Sequence, residues 1–147
     1  MKNFRPINQN DKSDFIKFAD EFYHSSAVDH AIPKSNHEKT FCELMKSDTY
    51  ALAYIIEFNQ KSVGYALLSK TYSNEAGGIV IWIEELFILS EYRGLGLGKY
   101  ALNCIGSLFN DVKRFRLEIT PTNEKAKKLY QLEGFEILDY RQMFKDI

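Results

Sequence analysis

Between a long run of β-branched and aromatic residues, Ile79 to Leu89, and a helical pattern that opens at Leu97, the chain reads Arg93-Gly-Leu-Gly-Leu-Gly-Lys99. A strand that stops just before a Gly-rich turn, with a helix starting inside that turn, aims several backbone N–H groups at one point. The helix dipole also favours negative charge there. Gly94, Gly96 and Gly98 carry no Cβ, so an anion can approach the backbone and positive φ costs little. Arg93 and Lys99 add positive charge, and the segment therefore predicts a phosphate-bearing ligand.

Spacing separates the ligand classes. A nucleotide P-loop needs four residues between its glycines and a hydroxyl after the lysine. Here Gly94 to Gly98 is one residue short and Tyr100 follows Lys99. A dinucleotide fingerprint needs its third glycine where Lys99 stands, and it belongs to a parallel βαβ unit, whereas the strands before this turn read as an antiparallel meander. Glu118, about twenty residues on, is the one feature in its favour. A Gly-rich helix entry that binds nothing is the bland alternative, but it spends helix and strand stability without a packing return.

The rest of the chain supplies the frame. Phe4 to Ile7 reads as a short strand. Asp11 to Tyr23 places Phe15, Phe18, Ala19 and Phe22 on one helical face. His24 to Ser35 is loop-like, and a second helix pattern runs through Phe41, Leu44 and Met45. Tyr50 to Phe58 and Ser62 to Tyr72 form a hairpin about Asn59 and Gln60, and the turn Ser73 to Gly78 leads into Ile79 to Leu89. After the Gly-rich turn come a helix from Leu97 to about Phe109 and an alternating strand with Phe115, Leu117 and Ile119. A helix capped by Asn123 follows and is closed by Gly134. Phe135 to Leu138 and Arg141 to Phe144 read as last strands. The mixed order predicts a single α+β domain over residues 1–147, with helices on a twisted sheet.

Composition excludes several classes. Hydrophobic residues at 45% and charged residues at 27% fit an ordinary globular chain. A net charge of −1 and a pI of about 6.3 provide no basic field for nucleic acid, so no nucleic-acid partner is expected. No run approaches the roughly 18 apolar residues of a membrane span, and the first residues lack the apolar stretch of a signal peptide. A cytoplasmic protein without a membrane partner is the expectation. Cys42 and Cys104 read as buried thiols, and no disulfide or metal site is predicted.

Arg93, Gly96 and Gly98 form an Arg-x-x-Gly-x-Gly pattern that resembles the coenzyme A-binding motif of the GCN5-related N-acetyltransferase (GNAT) superfamily. Upstream, W-I-E-E-L-F-I-L-S-E-Y-R resembles that superfamily's central strand. Downstream, N-E-K-A-K-K-L-Y-Q-L-E-G-F resembles its Asn-x-x-Ala-x-x-Leu-Tyr-x-x-x-Gly-Phe segment, so the likeness covers nearly the whole chain. It implies a mixed, mostly antiparallel sheet of about six to seven strands with about four helices and a splayed central strand pair. It also implies acetyl-CoA as co-substrate and an amine as acetyl acceptor.

By the same resemblance, Leu86, Phe87 and Ile88 would offer backbone hydrogen bonds to pantetheine. Arg93, Gly94, Leu95, Gly96, Leu97, Gly98 and Lys99 would hold the pyrophosphate, and Asn123 would contact the cofactor arm. Tyr130 matches the tyrosine that protonates the departing thiolate, and a phenol with a reference pKa near ~10 is protonated at neutral pH. Read alone, Tyr130 would be a core aromatic.

The attacking amine must lose a proton, and Glu84 and Glu85 lie in an otherwise apolar strand where a carboxylate is costly unless solvated or paired. Strict alternation lets only one of them face the site and puts Glu84 on the side of Leu86 and Ile88. Glu84 is therefore the expected base or amine anchor, with a solvated face as the plain alternative. The Ile88 N–H is the expected oxyanion donor.

The loop from His24 to Ser35 and the turn from Tyr72 to Gly78 are expected to flank the acceptor pocket, with Tyr23 or His24 in its lining. His24, His30 and His37 share no ligand spacing. Gly64 through Trp82 and Glu84 to Arg93 also resembles the diamine and polyamine acetyltransferase branch, and a small-molecule amine is the expected acceptor. A protein acetyltransferase and a non-catalytic acyl-CoA sensor are the competing readings. Pairing of C-terminal strands into a homodimer is a further implication of the resemblance.

Overall fold

A computed structural model describes residues 1–147. In chain order the elements are β1 (Lys2–Pro6), α1 (Lys12–Tyr23), α2 (Lys34–Lys46), β2 (Ala51–Phe58), β3 (Lys61–Ser73), β4 (Gly78–Ile88), α3 (Leu97–Leu108), β5 (Arg114–Leu117) and α4 (Glu124–Leu132). Single 3-10 turns, Gln9–Asp11 and Ser90–Tyr92, precede α1 and the Gly-rich segment. The strands lie in the order β1-β2-β3-β4-β5, antiparallel through β4, with β5 parallel to β4. Asn59 and Gln60 both take positive φ, +50° and +67°. That is the turn a tight two-residue hairpin requires, and it fixes the β2–β3 register.

The sheet is covered on both faces. Phe15, Phe18, Ala19 and Phe22 of α1, with Phe41 of α2, pack on Ala53, Ile55, Tyr65, Leu67 and Phe87. On the other side Leu102 and Ile105 of α3 pack on Tyr54, Ala66, Leu68, Ile81 and Ile83, and Leu129 and Tyr130 of α4 pack against that group. α1 and α3 therefore bury the stripes their periodicity marks out, whereas Leu129 and Tyr130 of α4 are only partly buried. A bidentate pair at the first turn of the fold, Arg5 Nη1 and Nη2 to Asp11 Oδ2 and Oδ1 at 2.8 Å each, ties β1 to the start of α1.

Near the middle of β4 the alternation breaks. Leu67 faces Glu85 and Leu68 faces Ile83, so Glu84 is the extra residue of a β-bulge. The parallel ladder to β5 ends at the same level, with Ile83 opposite Leu117. From Glu84 to Ile88 the strand keeps β3 on one side and has no ladder partner on the other.

Three sequence expectations are corrected. The sheet has five strands, not six to seven, because Phe135–Leu138 and Arg141–Phe144 do not form strands. The only backbone N–H donors bonded to backbone in the segment from Phe135 onward are Phe135, to the Tyr130 carbonyl, and Tyr140, to that of Leu138. A strand exists only as part of a ladder, and this segment leaves Ile137, Tyr140, Met143 and Phe144 exposed. The thiols are not buried either: Cys42 is exposed on the outer side of α2 and Cys104 is half-buried.

Candidate active site

Gly94 and Gly96 sit in the left-handed region, φ +80° and +72°, and Gly96 is the cap residue of α3. From Gly94 through Lys99 no backbone N–H donates to an acceptor of the protein. The Arg93 N–H before this stretch bonds Ser90 O, and the Tyr100 N–H after it returns to Gly96 O. Consecutive free donors at a helix start make an anion cradle by construction, and their lack of partners fits a pyrophosphate ligand.

The expected cations are placed differently from the sequence reading. Arg93 Nε donates to Ile88 O at 2.9 Å, and its guanidinium lies 5.8 Å from the Phe87 ring centre. Lys99 Nζ is 3.6 Å from Glu133 Oε1, on the residue that caps the C-terminus of α4. Lys2 of β1, which no local pattern singled out, brings its Nζ to 3.5 Å from Gly96 O.

Beside the cradle, β4 presents backbone groups to the open side. The Leu89 N–H donates to Val63 O, and antiparallel bonding alternates along the strand, so Phe87 is bonded toward β3 while Leu86 and Ile88 face away from it. Arg93 meets the Ile88 carbonyl on that free edge. The alternation leaves Leu86 and Ile88, and not Phe87, with backbone groups available on the edge of β4 beyond its ladder with β5. At the α3 start, a Cβ on Gly98 would lie 3.1 Å from Leu129 Cδ2 and 3.8 Å from Ile88 Cδ1. Glycine thus lets α3, α4 and the end of β4 meet closely.

Asn123 caps α4, its Oδ1 accepting from the Ala126 N–H at 3.3 Å. Tyr130, two turns on, packs edge-on against Phe135 with ring centres 5.8 Å apart. Burial pushes its phenol above the ordinary tyrosine pKa, so it holds its proton more firmly.

The bulge changes the reading of the two glutamates. Ser69 Oγ donates to Glu84 Oε1 at 2.5 Å, and Ser69 is two residues along β3 from Leu67, which packs under α1. Glu85 accepts from Tyr23 OH on α1 and from Tyr65 OH, at 2.6 Å each. Both carboxylates therefore lie on the α1–α2 side. The expectation that only one could face the site, with Glu84 beside Leu86 and Ile88, is corrected, because the extra residue resets the alternation.

Glu84 is exposed, whereas Glu85 is buried at 8% exposure and burial pushes its pKa up. The Tyr23 hydroxyl is pushed up first by burial and then by the nearby negative charge of Glu85, Glu84 and Glu118. Glu85 lines a cavity of about 320 Å³ between the sheet and the helices. Phe15 and Tyr23 of α1, Ile32 of the α1–α2 loop, and Asn36, His37, Lys39 and Thr40 of α2 complete much of its wall. The Tyr72–Gly78 turn does not line it. The α1–α2 loop reaches toward the end of β5, where Thr120 Oγ1 donates to Ser26 O at 3.1 Å.

The model of the acetyltransferase (GNAT) family matches residues 15–135. The chain belongs to the GNAT acetyltransferase family. Among curated GNAT relatives, thialysine N-epsilon-acetyltransferase of Mus musculus is 32% identical over 78 residues, covering 52% of this chain and 45% of the relative. The Sus scrofa protein of the same name is 34% identical over 74 residues, covering 49% and 43%. The chain thus spans less than half the length of the curated relatives it matches.

An aminoglycoside N-acetyltransferase in complex with a bisubstrate analogue superposes at a TM-score of 0.83, with 17% identity, over 100% of this chain and 99% of that one. A ribosomal-protein-alanine N-acetyltransferase from Brucella melitensis superposes at 0.74, with 13% identity, over 100% of both. These likenesses establish the fold. Because one of those proteins is named for an antibiotic acceptor and the other for a protein, the GNAT fold by itself does not select the acceptor.

Within this GNAT frame the structure gathers Leu86, Ile88, the Gly-rich turn, Asn123 and Tyr130 on the side of α3 and α4. It gathers Glu84, Glu85, Tyr23, Tyr65 and His37 on the side of α1 and α2. Tyr65 and His37 were not expected at a site. Tyr65 is two residues from Leu67 on β3, so period-2 reading places it under α1, but nothing local marks its hydroxyl as a carboxylate partner.

Proposed function

We propose that this chain transfers an acetyl group from acetyl-CoA to the primary amine of a small acceptor. The observation that carries this reading is the unpartnered run of N–H groups from Gly94 to Lys99 beside the free edge of β4. Acetyl-CoA supplies an activated thioester. Residues Gly94 to Lys99 would hold its pyrophosphate, with Lys2 adding charge, and Leu86 and Ile88 would bond the pantetheine amides at the splayed edge. Asn123 retains its Nδ2 donors for the same arm.

Acyl transfer then needs three things of the protein. Tyr130 would donate its phenolic proton to the departing sulfur, a role that a firmly held proton suits. The Ile88 N–H would stabilise the negative charge that develops on the carbonyl oxygen. Glu84, exposed and joined to Ser69, would take the proton of the amine and pass it to solvent, while Glu85, fixed between two tyrosines, would anchor the ammonium.

A cavity of about 320 Å³ is at the small end of ligand pockets, which run ~300–1,000 Å³, and supports a small acceptor over a peptide. The relatives named for acetylating the ε-nitrogen of thialysine support the same class. Calorimetry with acetyl-CoA, followed by thiol release across monoamines, polyamines, amino acids and peptides, tests the proposal. Saturable binding with turnover of at least one small amine is expected. Absence of acetyl-CoA binding removes the reading, and turnover confined to peptides replaces its acceptor.

A further inference from the structure

The two oxygens of the Glu85 carboxylate have unlike surroundings. Oε1 accepts from Tyr65 OH at 2.6 Å in a buried bond, and Oε2 accepts from Tyr23 OH at 2.6 Å in a bond that is only partly buried. Tyr23 lines the cavity with Glu85, whereas Tyr65 does not and has no solvent exposure. The Tyr65 ring is held edge-on by Phe15, with centres 5.4 Å apart, and by Phe87 at 6.2 Å, so its hydroxyl has little freedom to turn elsewhere. The side-chain partners of Glu85 are these two neutral hydroxyls, with no cation among them. A buried carboxylate is costly unless its oxygens are satisfied. Without the Tyr65 hydroxyl, Oε1 would have no donor on the side away from the cavity. The other ionisable groups around Glu85 are Glu84 beside it on β4, His37 and Lys39 of α2 in the cavity wall, and Glu118 just past β5, whose charge reaches Tyr23. Asp20 of α1 stands behind His37, 4.0 Å from its Nε2. None of them donates a hydrogen bond to Oε1.

We propose that Tyr65 is a positioning residue for acceptor capture: its hydroxyl holds Glu85 Oε1 and so presents the opposite oxygen, beside Tyr23, to the ammonium of the acceptor. The proposal rests on the acetyl-transfer reading above and adds to it a residue that touches neither substrate. A carboxylate has about four acceptor positions, so an ammonium finds free lone pairs on Glu85 without displacing Tyr65. The same bond keeps Glu85 charged. Burial pushes the Glu85 pKa up, and the hydrogen bonds from Tyr23 and Tyr65 oppose that rise. Losing the Tyr65 bond moves the pKa further up, and below its midpoint Glu85 is neutral and no longer attracts a cation. A tyrosine kept only for packing would have no such effect, because phenylalanine offers the same ring.

The test uses Tyr65→Phe, which keeps the ring and its contacts with Phe15 and Phe87. Tyr54→Phe is the control, because Tyr54 is buried on the α3 side of the sheet, away from Glu85. Carbon-13 NMR of glutamate-labelled protein follows the Glu85 carboxyl with pH, its resonance identified by its absence in Glu85→Gln. Tyr65→Phe should raise the Glu85 midpoint by about one pH unit or more, the worth of a charge-assisted hydrogen bond. Tyr54→Phe should leave it in place. With 1,5-diaminopentane and L-lysine as acceptors, the acid limb of kcat/KM should move up with the carboxyl midpoint. The loss should appear in KM more than in kcat, with acetyl-CoA affinity by calorimetry unchanged. In a Glu85→Gln background, Tyr65→Phe should have no further effect on KM. The wild type gives a reading that needs no variant: the Tyr65 ring Cζ resonance should titrate with the Glu85 midpoint. A Glu85 midpoint unmoved by Tyr65→Phe, separate midpoints for Glu85 and Tyr65 in the wild type, or a KM effect that persists without Glu85 overturns the proposal. A wild type that binds no acetyl-CoA would instead remove the acetyl-transfer reading beneath it.

Discussion

Gly96→Ala tests whether the cradle is held by backbone conformation. Gly96 has φ +72°, where an L-residue costs about 1–2 kcal/mol. Its added Cβ would meet only the flexible end of Lys2, at 3.3 Å, so conformation and not collision sets the penalty. Gly106→Ala is the matched control, since Gly106 lies within α3, has no positive φ, and its Cβ would have nothing within 4 Å. Both changes remove the same freedom from the unfolded chain, so their difference isolates the native-state cost. That difference should appear as a Tm lower by roughly 2–8 °C for Gly96→Ala, at about 2–4 °C per kcal/mol for a domain near this size.

If the turn instead relaxes to negative φ, the stability cost shrinks, but the N–H groups diverge. Losing one charge-assisted hydrogen bond, about 1.5–3 kcal/mol, then weakens acetyl-CoA binding by roughly tenfold or more. Differential scanning calorimetry and titration calorimetry read the two outcomes separately, and their sum should reach at least about 1 kcal/mol. A Gly96→Ala protein that matches Gly106→Ala in Tm and the wild type in acetyl-CoA affinity would refute the reasoning.

Tyr130→Phe should lower kcat by about 10²–10⁴-fold, the usual worth of a positioned acid, with acetyl-CoA affinity nearly intact; an unchanged kcat takes Tyr130 out of the reaction. Asp11 is held below the usual carboxylate range first by its hydrogen bonds from Arg5. A depressed folded-state pKa gives stability that is present above the unfolded value of ~3.9 and is lost as pH falls through the folded one. Denaturant titrations should therefore show the wild type weakening from about pH 4 downward, with Asp11→Asn flatter in that window. At neutral pH Asp11→Asn should be less stable by about 1.5–3 kcal/mol, the worth of hydrogen bonds to a charged group, because Arg5 keeps its Glu57 partner at 2.7 Å and its side chain 28% exposure. Equal slopes for the two proteins below pH 4 would show that the pair does not govern acid stability.

What the sequence made legible was local. Asn59 and Gln60 mark a tight hairpin because the turn itself demands positive φ, and the Gly-rich turn marks a helix entry for the same reason. The stripe through Phe15, Phe18, Ala19 and Phe22 faces the core because helical spacing leaves it no other place. What was not legible depends on partners distant in the chain. Lys2 reaches the cradle only because β1 runs alongside the start of α3. Phe135–Leu138 has strand-like composition, yet composition does not supply a neighbouring strand, and α4 ends in a turn that sends Phe135 back onto Tyr130.

The bulge at Glu84 shows why a site can be harder to read than the fold around it. With unbroken alternation and Ile83 packed beneath α3, Glu84 would face α1 while Glu85 returned to the α3 side. There Glu85 would meet Leu102 and Ile105, an apolar wall with no donor for a carboxylate, at a cost of several kcal/mol. One extra residue sends Glu85 instead to the hydroxyls of Tyr23 and Tyr65, and it leaves Glu84 at the surface beside Ser69. The same residue marks where β5 stops pairing and the free edge of β4 begins. The position of the paired carboxylates and the start of the free edge of β4 thus meet at one backbone irregularity, and neither is written in residue types alone.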